Sequence, residues 1–591
     1  MGLYHRQRPP TGSASIDSPM DVSPFFQTGQ TTNLGRRAAA RLRRSLTGLA
    51  LGLVMACNPI ISEAQTPQYG GTVVTTPGIG LGTSADVNGL NPLLTSSAYD
   101  AQIESLLYQP LIWIDRTLNI DFRRSIASAI TVSGENTVFT IDLHHHWRWS
   151  DGTPVTTADV AYTYHMILKL GAQYPDYEGG GVPTEVKQFE ILGPYRLRIT
   201  TTHPVNPRWF EFNGLGKLTP LPAHAWAKYS VHDMNDHLED PVFFQVIDGP
   251  FRIAQFHLGR SLTMVPNPAY SGRDKPYIHR LVFKFMSSAD SIFFALKAGE
   301  LQLGNLPWSL YQARDQLNRN KTFVTGPTWG FNYLGFNFNA PAISFIRDVR
   351  VRQAIMHAVD QDQIIHVRYF GHGMRDYGPI PTNPPGFLSA KARDLIAKGA
   401  YDPALANRLL DAAGWRMGPD HVRYKDGRPL KITLLITPDR EEEPVMLKSM
   451  LAKVGIDLDL QLMPFNEVIA KIMDPKDTQW QAIFLSWSLS AYPSMKSLFG
   501  CNSSYNAYHY CDRHLDSLAD AIRAAPGDEA MMAFQDYFIE QQPVVVMPGY
   551  KVFISSAPDI HGLNKAFSPL GGFNPQYLWI DSRASAHGPA H

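Results

Sequence analysis

The 591-residue chain carries 53 Lys and Arg against 53 Asp and Glu, with 44% hydrophobic and 11% aromatic residues. That composition supports two or three globular domains with large cores and excludes a disordered chain. Residues 1–64 hold seven Arg and three acids, so the remaining 527 residues carry 46 bases and 50 acids, a body with no basic surplus for gripping nucleic acid.

The chain opens with the features of an export leader. Arg36, Arg37, Arg41, Arg43 and Arg44 form a basic region, and the apolar stretch Leu46–Cys57 follows it; that stretch is too short to span a bilayer comfortably. Ser62-Glu63-Ala64 puts small residues where a signal peptidase needs them, for cleavage before Gln65. Val54-Met55-Ala56-Cys57 is a competing, imperfect lipobox that would leave a lipid on Cys57. The pair Arg36-Arg37 lacks the rest of a twin-arginine motif, and residues 1–35 read as a long leader or an early start. Either way the body is expected in an oxidising compartment outside the cytoplasm. There Cys501 and Cys511 form an even pair, expected as a structural disulfide rather than a reactive thiol pair, which would want CxxC spacing or an activating base. Closing so short a loop contributes about 3 kcal/mol in the loop-entropy account.

In chain order, a first strand is expected at Tyr69–Val74, then a loop at Asn88–Pro92 leading into a helix and a strand. Phe139, Ile141 and Leu143 alternate with Val138, Thr140 and Asp142, as in a half-buried strand. His144, His145 and His146 follow; neighbours on a strand point to opposite faces, so at most His144 and His146 could share an ion. Asp151-Gly152-Thr153-Pro154 supplies a turn, and Thr156 with Asp159 an N-cap. The helix after it is expected to bury Val160, Tyr164, Ile167 and Leu168. Residues 171–190 read as a surface connection and Tyr195–Thr201 as a strand. His224 has no carboxylate or nucleophile beside it in a motif, so a packed structural role is expected. Residues 279–307 read strand, helix, Gly299 as a C-cap, then strand. From about Thr325 a second lobe begins, entered through Trp329–Asn337, whose alternating large and small residues suit a crossing strand. A helix from Asp348 is amphipathic through Val351, Ala354, Ile355 and Ala358; Asp402 with Pro403 opens another, ended by Gly414. A strand at 430–436, a helix at 444–453 and a strand at 456–462 continue an α/β pattern. From Met547 the chain returns to the first lobe. No internal repeat occurs, nor any G-x-S-x-G, HExxH or P-loop signature.

Several stretches together resemble the peptide/nickel family of extracellular solute-binding proteins, the receptors of ABC importers. The family's "W-x-D-G-x-P-x-T-A-x-D-V" aligns with Trp149–Val160, preceded in register by Val132-Ser133 and Phe139-Thr140-Ile141. Leu90-Asn91-Pro92, Tyr108–Leu111, Leu221–Trp226, Gly249-Pro250-Phe251 and Gly299–Gln302 fall in order after the family's wording. So do DVRVRQAIMHAVD from Asp348, PIPTNPPGF at 379–387, and Tyr401–Trp415. The resemblance spans roughly residues 66–575. It implies an α/β, two-lobed periplasmic-binding-protein clamshell, type II-like, in the large cluster C form with an extra subdomain. The implied division is a leader at 1–64, a first lobe at 65–326 with the extra subdomain at about 110–240, a second lobe at 327–546, and a return with C-terminal tail at 547–591. It also implies a periplasmic monomer that captures a peptide-like solute and hands it to ABC permease subunits, with no cofactor and no catalysis. Relatives carry a variable, exposed basic loop in place of His144–His146, so no metal is assigned there.

The resemblance places the cleft mouth after Leu90-Asn91-Pro92, making Thr95, Ser96 and Ser97 ligand contacts or, equally, helix caps. Trp329, Trp487 and Tyr492 are expected as aromatic walls or as core. Peptide-binding relatives place an aspartate in "W-x-x-D" to hold the peptide α-ammonium. Here Ser490 occupies that position, with Ser494 near where a second Asp often stands. Removing one side of a buried charge pair costs about 2–5 kcal/mol. Either Asp439 or one of Glu441–Glu443 substitutes, or the solute lacks a free amine there. An oligosaccharide, an opine-like conjugate or a metal chelate is the alternative solute; a sensor, chaperone or hydrolase on the same scaffold is the alternative class.

Overall fold

A computed structural model describes residues 66–581, except 83–86, 88, 95–96, 176, 178–179, 231–232, 234–243, 287, 318–319, 328, 384–385, 438–439, 475 and 504. The expected leader, Cys57, Thr95, Ser96 and Asp439 lie outside the described residues. The chain forms α/β layers around several sheets. In one, Thr72–Thr75 runs parallel to Arg280–Lys284, which continues antiparallel through Ser261–Pro266 to Phe251–His257. An antiparallel four-stranded sheet holds Ala127–Ser133, Val138–Leu143, Arg196–Thr201 and Val186–Gly193 in that order. It forms because Phe139, Ile141 and Leu143 alternate inward, as the sequence pattern requires.

A five-stranded sheet has the order Asp457–Leu462, Lys431–Ile436, Ala482–Ser488, Gly330–Phe336, Val545–Met547. Its first pair is parallel and bridged by the helix Glu442–Ala452. Gly330–Phe336 is buried on both faces, and its antiparallel partners Ala482–Ser488 and Val545–Met547 close both its edges. The chain passes twice between this sheet and a smaller one: Lys321–Pro327 leads into Gly330–Phe336, and Val545–Met547 leads into Gly549–Ser556. Lys321–Pro327 and Gly549–Ser556 pair antiparallel, so the two passages run side by side.

Local signals explain the helices near these sheets. Thr156 and Asp159 form a reciprocal capping box at the start of Thr157–Leu170. Leu168, expected in its buried stripe, is 48% exposed. The stripe centres on Val160, Thr163 and Ile167, and Leu168 sits a further ~100° around the helix. Gly299 takes a left-handed φ of 77° that closes the helix Ala289–Ala298. Asp402 Oδ1 accepts from Leu405 N at 2.8 Å ahead of Pro403. His224 also departs from expectation: it is exposed and its Nε2 lies 2.7 Å from Asp151 Oδ2. Its partner comes from the turn before the capped helix, which no local motif reveals. Cys501 and Cys511 are bonded, with Cα atoms 4.6 Å apart. Inside that loop Asn506 Nδ2 donates to Gly500 and Tyr510 carbonyls at 3.0 and 2.6 Å. Among the described residues no helix is long and apolar enough to cross a membrane.

Candidate functional site

Where Gly549–Ser556 emerges from the paired passages, a cavity of about 300 Å³ opens. One side is built by Ile292, Asn305, Trp308 and Phe553, the other by Arg368, Tyr369, Arg440 and Glu443. Aromatic rings brace it: Trp308 stacks on Phe553 at 5.4 Å and meets Tyr369 edge-on at 6.0 Å, while Tyr369 stacks on Tyr550 at 4.9 Å. Arg440 and Glu443 lie just beyond the carboxyl end of Lys431–Ile436, at the start of the helix that crosses to the next parallel strand. Open α/β sheets bind ligands at that end.

Charges of both signs meet on this wall. Arg368 pairs with Glu442. Arg440 donates to Ser486 Oγ, which is hydrogen-bonded to Asn332, so the cavity wall is tied to the end of Ala482–Ser488. Glu443 is 6% exposed, and burial lifts its carboxyl to about 7, against the opposing influence of Tyr369, Arg440 and Arg368. The Tyr369 hydroxyl hydrogen-bonds this carboxyl, and burial holds the phenol well above its ordinary value.

The residues singled out from the sequence fall into separate places. Trp329, Trp487 and Ser490 come together where the antiparallel pair Gly330–Phe336 and Ala482–Ser488 ends. Trp329 is buried, its Nε1 donating to Ser490 O at 2.8 Å, while Leu489 N donates to Trp329 O at 2.9 Å. Trp487 is half-buried with Tyr505 6.3 Å away, and Ser490 is exposed. Tyr492 is fully buried beyond Phe387, whose ring lies 5.5 Å from it and 5.9 Å from Trp329. Ser97 caps the helix Ala98–Leu107, accepting from Tyr99 N at 3.2 Å and Asp100 N at 3.4 Å.

Tyr492 belongs to a polar seam between the segments 185–213 and 492–528. Asn213 Nδ2 donates to Tyr492 O at 2.6 Å, and the Tyr492 hydroxyl donates to Asp528 Oδ1 at 2.6 Å. Asn206 Nδ2 donates to Gly527 O at 2.9 Å, and Arg208 Nη1 to Asp528 Oδ2 at 3.3 Å. Arg523 Nη2 donates to Glu185 Oε1 at 2.7 Å, with its guanidinium 4.8 Å from the Trp209 ring.

Sequence reasoning did not find Trp308, Arg368, Tyr369 or Arg440. The available signal was the charged run Arg440-Glu441-Glu442-Glu443, placed between an apolar strand and a helix.

Comparison with known proteins accounts for this architecture. The family profile described as "Bacterial extracellular solute-binding proteins, family 5 Middle" matches residues 121–509. The chain is 25% identical over 454 residues to the oligopeptide-binding protein AppA of Bacillus subtilis (strain 168), covering 76% of this chain and 79% of that one. The solved structure of that AppA, in complex with a nonapeptide, superposes with a TM-score of 0.68 at 22% identity, covering 88% of this chain and all (100%) of AppA. NikA from Brucella suis, solved with Fe(III)-EDTA, gives a TM-score of 0.72 at 21% identity, covering 86% of this chain and all (100%) of NikA. The chain belongs to the family 5 bacterial extracellular solute-binding proteins, and its fold is their two-lobed α/β clamshell.

Proposed function

We propose that this protein is the exported receptor of an ABC importer, taking a peptide or peptide-like solute between its lobes and delivering it to the permease in the membrane. The observation that carries this reading is the cavity of about 300 Å³ beside the paired passages, with aromatic walls and both signs of charge on one side. Such a site suits a zwitterionic, partly apolar solute. Likeness to the oligopeptide-binding AppA supports the solute class. The lobes are assigned as 65–326, with the extra subdomain at about 110–240, and 327–546, with the return from 547; the passage of the chain at 321–336 and 545–556 supports those limits. The protein works as a single chain, exported by its leader, with no catalysis and no nucleic-acid partner. Closure is biased only by the solute's differential affinity for the closed form.

Thr95, Ser96 and Ser97 remain assigned to the cleft mouth, and Trp329, Trp487, Ser490 and Tyr492 to its far rim. In the conformation described, Trp487 and Ser490 are the accessible members of that rim group. A non-peptide solute is the second reading. It is favoured by the uncharged rim from Ser486 to Ser494, and NikA, with a similar fold, was solved with a metal chelate. A thermal-shift screen with di- to pentapeptides, amine-blocked peptides, sugars and nickel chelates separates the two. A solute at 100 times its dissociation constant adds about 2.7 kcal/mol. Stabilisation by peptides supports the first reading; stabilisation by sugars or chelates alone replaces it with the second.

A further inference from the structure

A carboxylate taken out of water is costly unless a counter-charge or hydrogen bonds replace its hydration. Glu442 and Glu443 are adjacent, yet the fold treats them differently. Glu442 is half-exposed, with its side chain 51% accessible, and is spent on Arg368. Glu443 is turned inward onto the cavity wall, 6% exposed, and its Oε1 has no hydrogen-bond partner. The Tyr369 hydroxyl serves the carboxyl, and Arg440 is engaged with Ser486 Oγ. Among the described residues Glu442 and Glu443 are the two acids on the cavity wall, and the rim from Ser486 to Ser494 contributes none. A buried carboxyl with spare accepting capacity, on the wall of a space large enough for a small solute, is arranged for something that arrives with the solute. The terminal torsion of a glutamate is soft and nearly two-fold, so either oxygen can turn toward the cavity.

We propose that Glu443 is the counter-ion for a cationic group of the solute, an ammonium in a peptide-like ligand, and sets the specificity of the cavity for solutes that carry one. This rests on the reading of the cavity as the solute site. Arg440, half-buried on the same wall, supplies the opposite charge, so the preferred solute is zwitterionic. The exposed, uncharged Ser490 leaves the rim without this role.

The test is isothermal titration of the full chain with two probes, Ala-Ala and its N-acetylated form, against wild type, Glu443→Gln and Glu441→Gln. Wild type binds the free-amine probe. Glu443→Gln weakens it by at least ~30-fold and leaves the acetylated probe within about threefold of its wild-type affinity. Glu441→Gln, at an exposed acid of the same run that does not line the cavity, changes neither by more than about threefold. Gln keeps the volume and the hydrogen bond from Tyr369, so the variant folds; melting curves with and without probe confirm it, and Glu443→Asp recovers part of the free-amine preference. Unchanged free-amine binding by Glu443→Gln overturns the proposal and leaves the peptide reading standing. So does a wild type that binds both probes equally. A wild type that binds neither probe, while a sugar or nickel chelate binds, removes the peptide reading and the proposal with it.

Discussion

The ion pair Arg523–Glu185 allows the seam between the segments 185–213 and 492–528 to be weighed directly. Arg523 Nη2 lies 2.7 Å from Glu185 Oε1, with side chains 25% and 12% exposed. The same guanidinium lies over the buried Trp209 ring at 4.8 Å. A hydrogen bond between charged groups contributes about 1.5–3 kcal/mol, and a cation over an aromatic face about 1 kcal/mol more. Solvent reaches the arginine, so the lower part of that range applies, and Arg523→Ala is expected to cost about 2 kcal/mol. In a double-mutant cycle with Glu185→Gln, followed by urea unfolding, the coupling is expected at roughly 1–2 kcal/mol. Glu185 lies in the segment assigned to the first lobe and Arg523 in that assigned to the second, so the pair exists only while the lobes touch. Losing 2 kcal/mol from the closed form alone lowers the closed-to-open ratio about 30-fold. Small-angle scattering of Arg523→Ala without solute should then show a larger radius of gyration than wild type. Apparent solute affinity should weaken by up to the same factor. A coupling below about 0.3 kcal/mol, or unchanged scattering with unchanged affinity, refutes the idea that this seam holds the lobes together.

Three further outcomes are expected. Burial lifts Glu443 from an ordinary carboxyl value to about 7; an acid raised in the native state favours folding below its unfolded value and loses that advantage as pH rises through about 7. Between pH 5 and 8 wild type should therefore lose about 3 kcal/mol from this group that Glu443→Gln does not lose, and parallel pH dependences by urea unfolding would sink the assignment. Trp487→Ala, at a half-buried rim residue, should weaken solute binding with a small change in melting temperature, whereas Trp329→Ala, at a buried residue whose indole bonds Ser490 O, should lose about 3–5 kcal/mol of stability. Equal stability losses in a side-by-side melt would show both to be core. Cys501→Ser removes the bond closing the loop to Cys511 and should cost about 3 kcal/mol; a reducing agent should bring wild type to the same stability, and no difference would mean the loop is held by Asn506 and its neighbours.

Much of the fold was legible because its signals are local. The alternation at Val138–Leu143, the capping box at Thr156, the Asp402-Pro403 start and the Gly299 stop each depend on a few adjacent residues, and each is found where the pattern puts it. Failures occur where a distant partner decides. Leu168 was read from helical spacing, but the angle of its helix against the sheet set the buried face. Gly330–Phe336 reads as a crossing strand from its alternating large and small residues, but the two strands that pair along it come from distant parts of the chain. The sequence separation of 73 between Asp151 and His224 hides an ion pair that no motif spans.

The candidate site shows the same limit more sharply, because its wall is assembled from four distant parts of the chain. Trp308, Tyr369, Glu443 and Phe553 have no common motif and meet only through the two passages between sheets. What the sequence offered was the missing acid at Ser490 and a short choice of replacements. Glu441 and Glu442 at the start of that helix could satisfy themselves against solvent or Arg368, as surface acids at a helix N-terminus do. Burial separates Glu443 from them: a carboxyl withdrawn from water gains more from a charge brought by a ligand than one that stays hydrated. Spacing alone gives three equivalent acids, whereas the fold makes one of them expensive to leave empty-handed, and that asymmetry carries the argument for a cationic group on the solute.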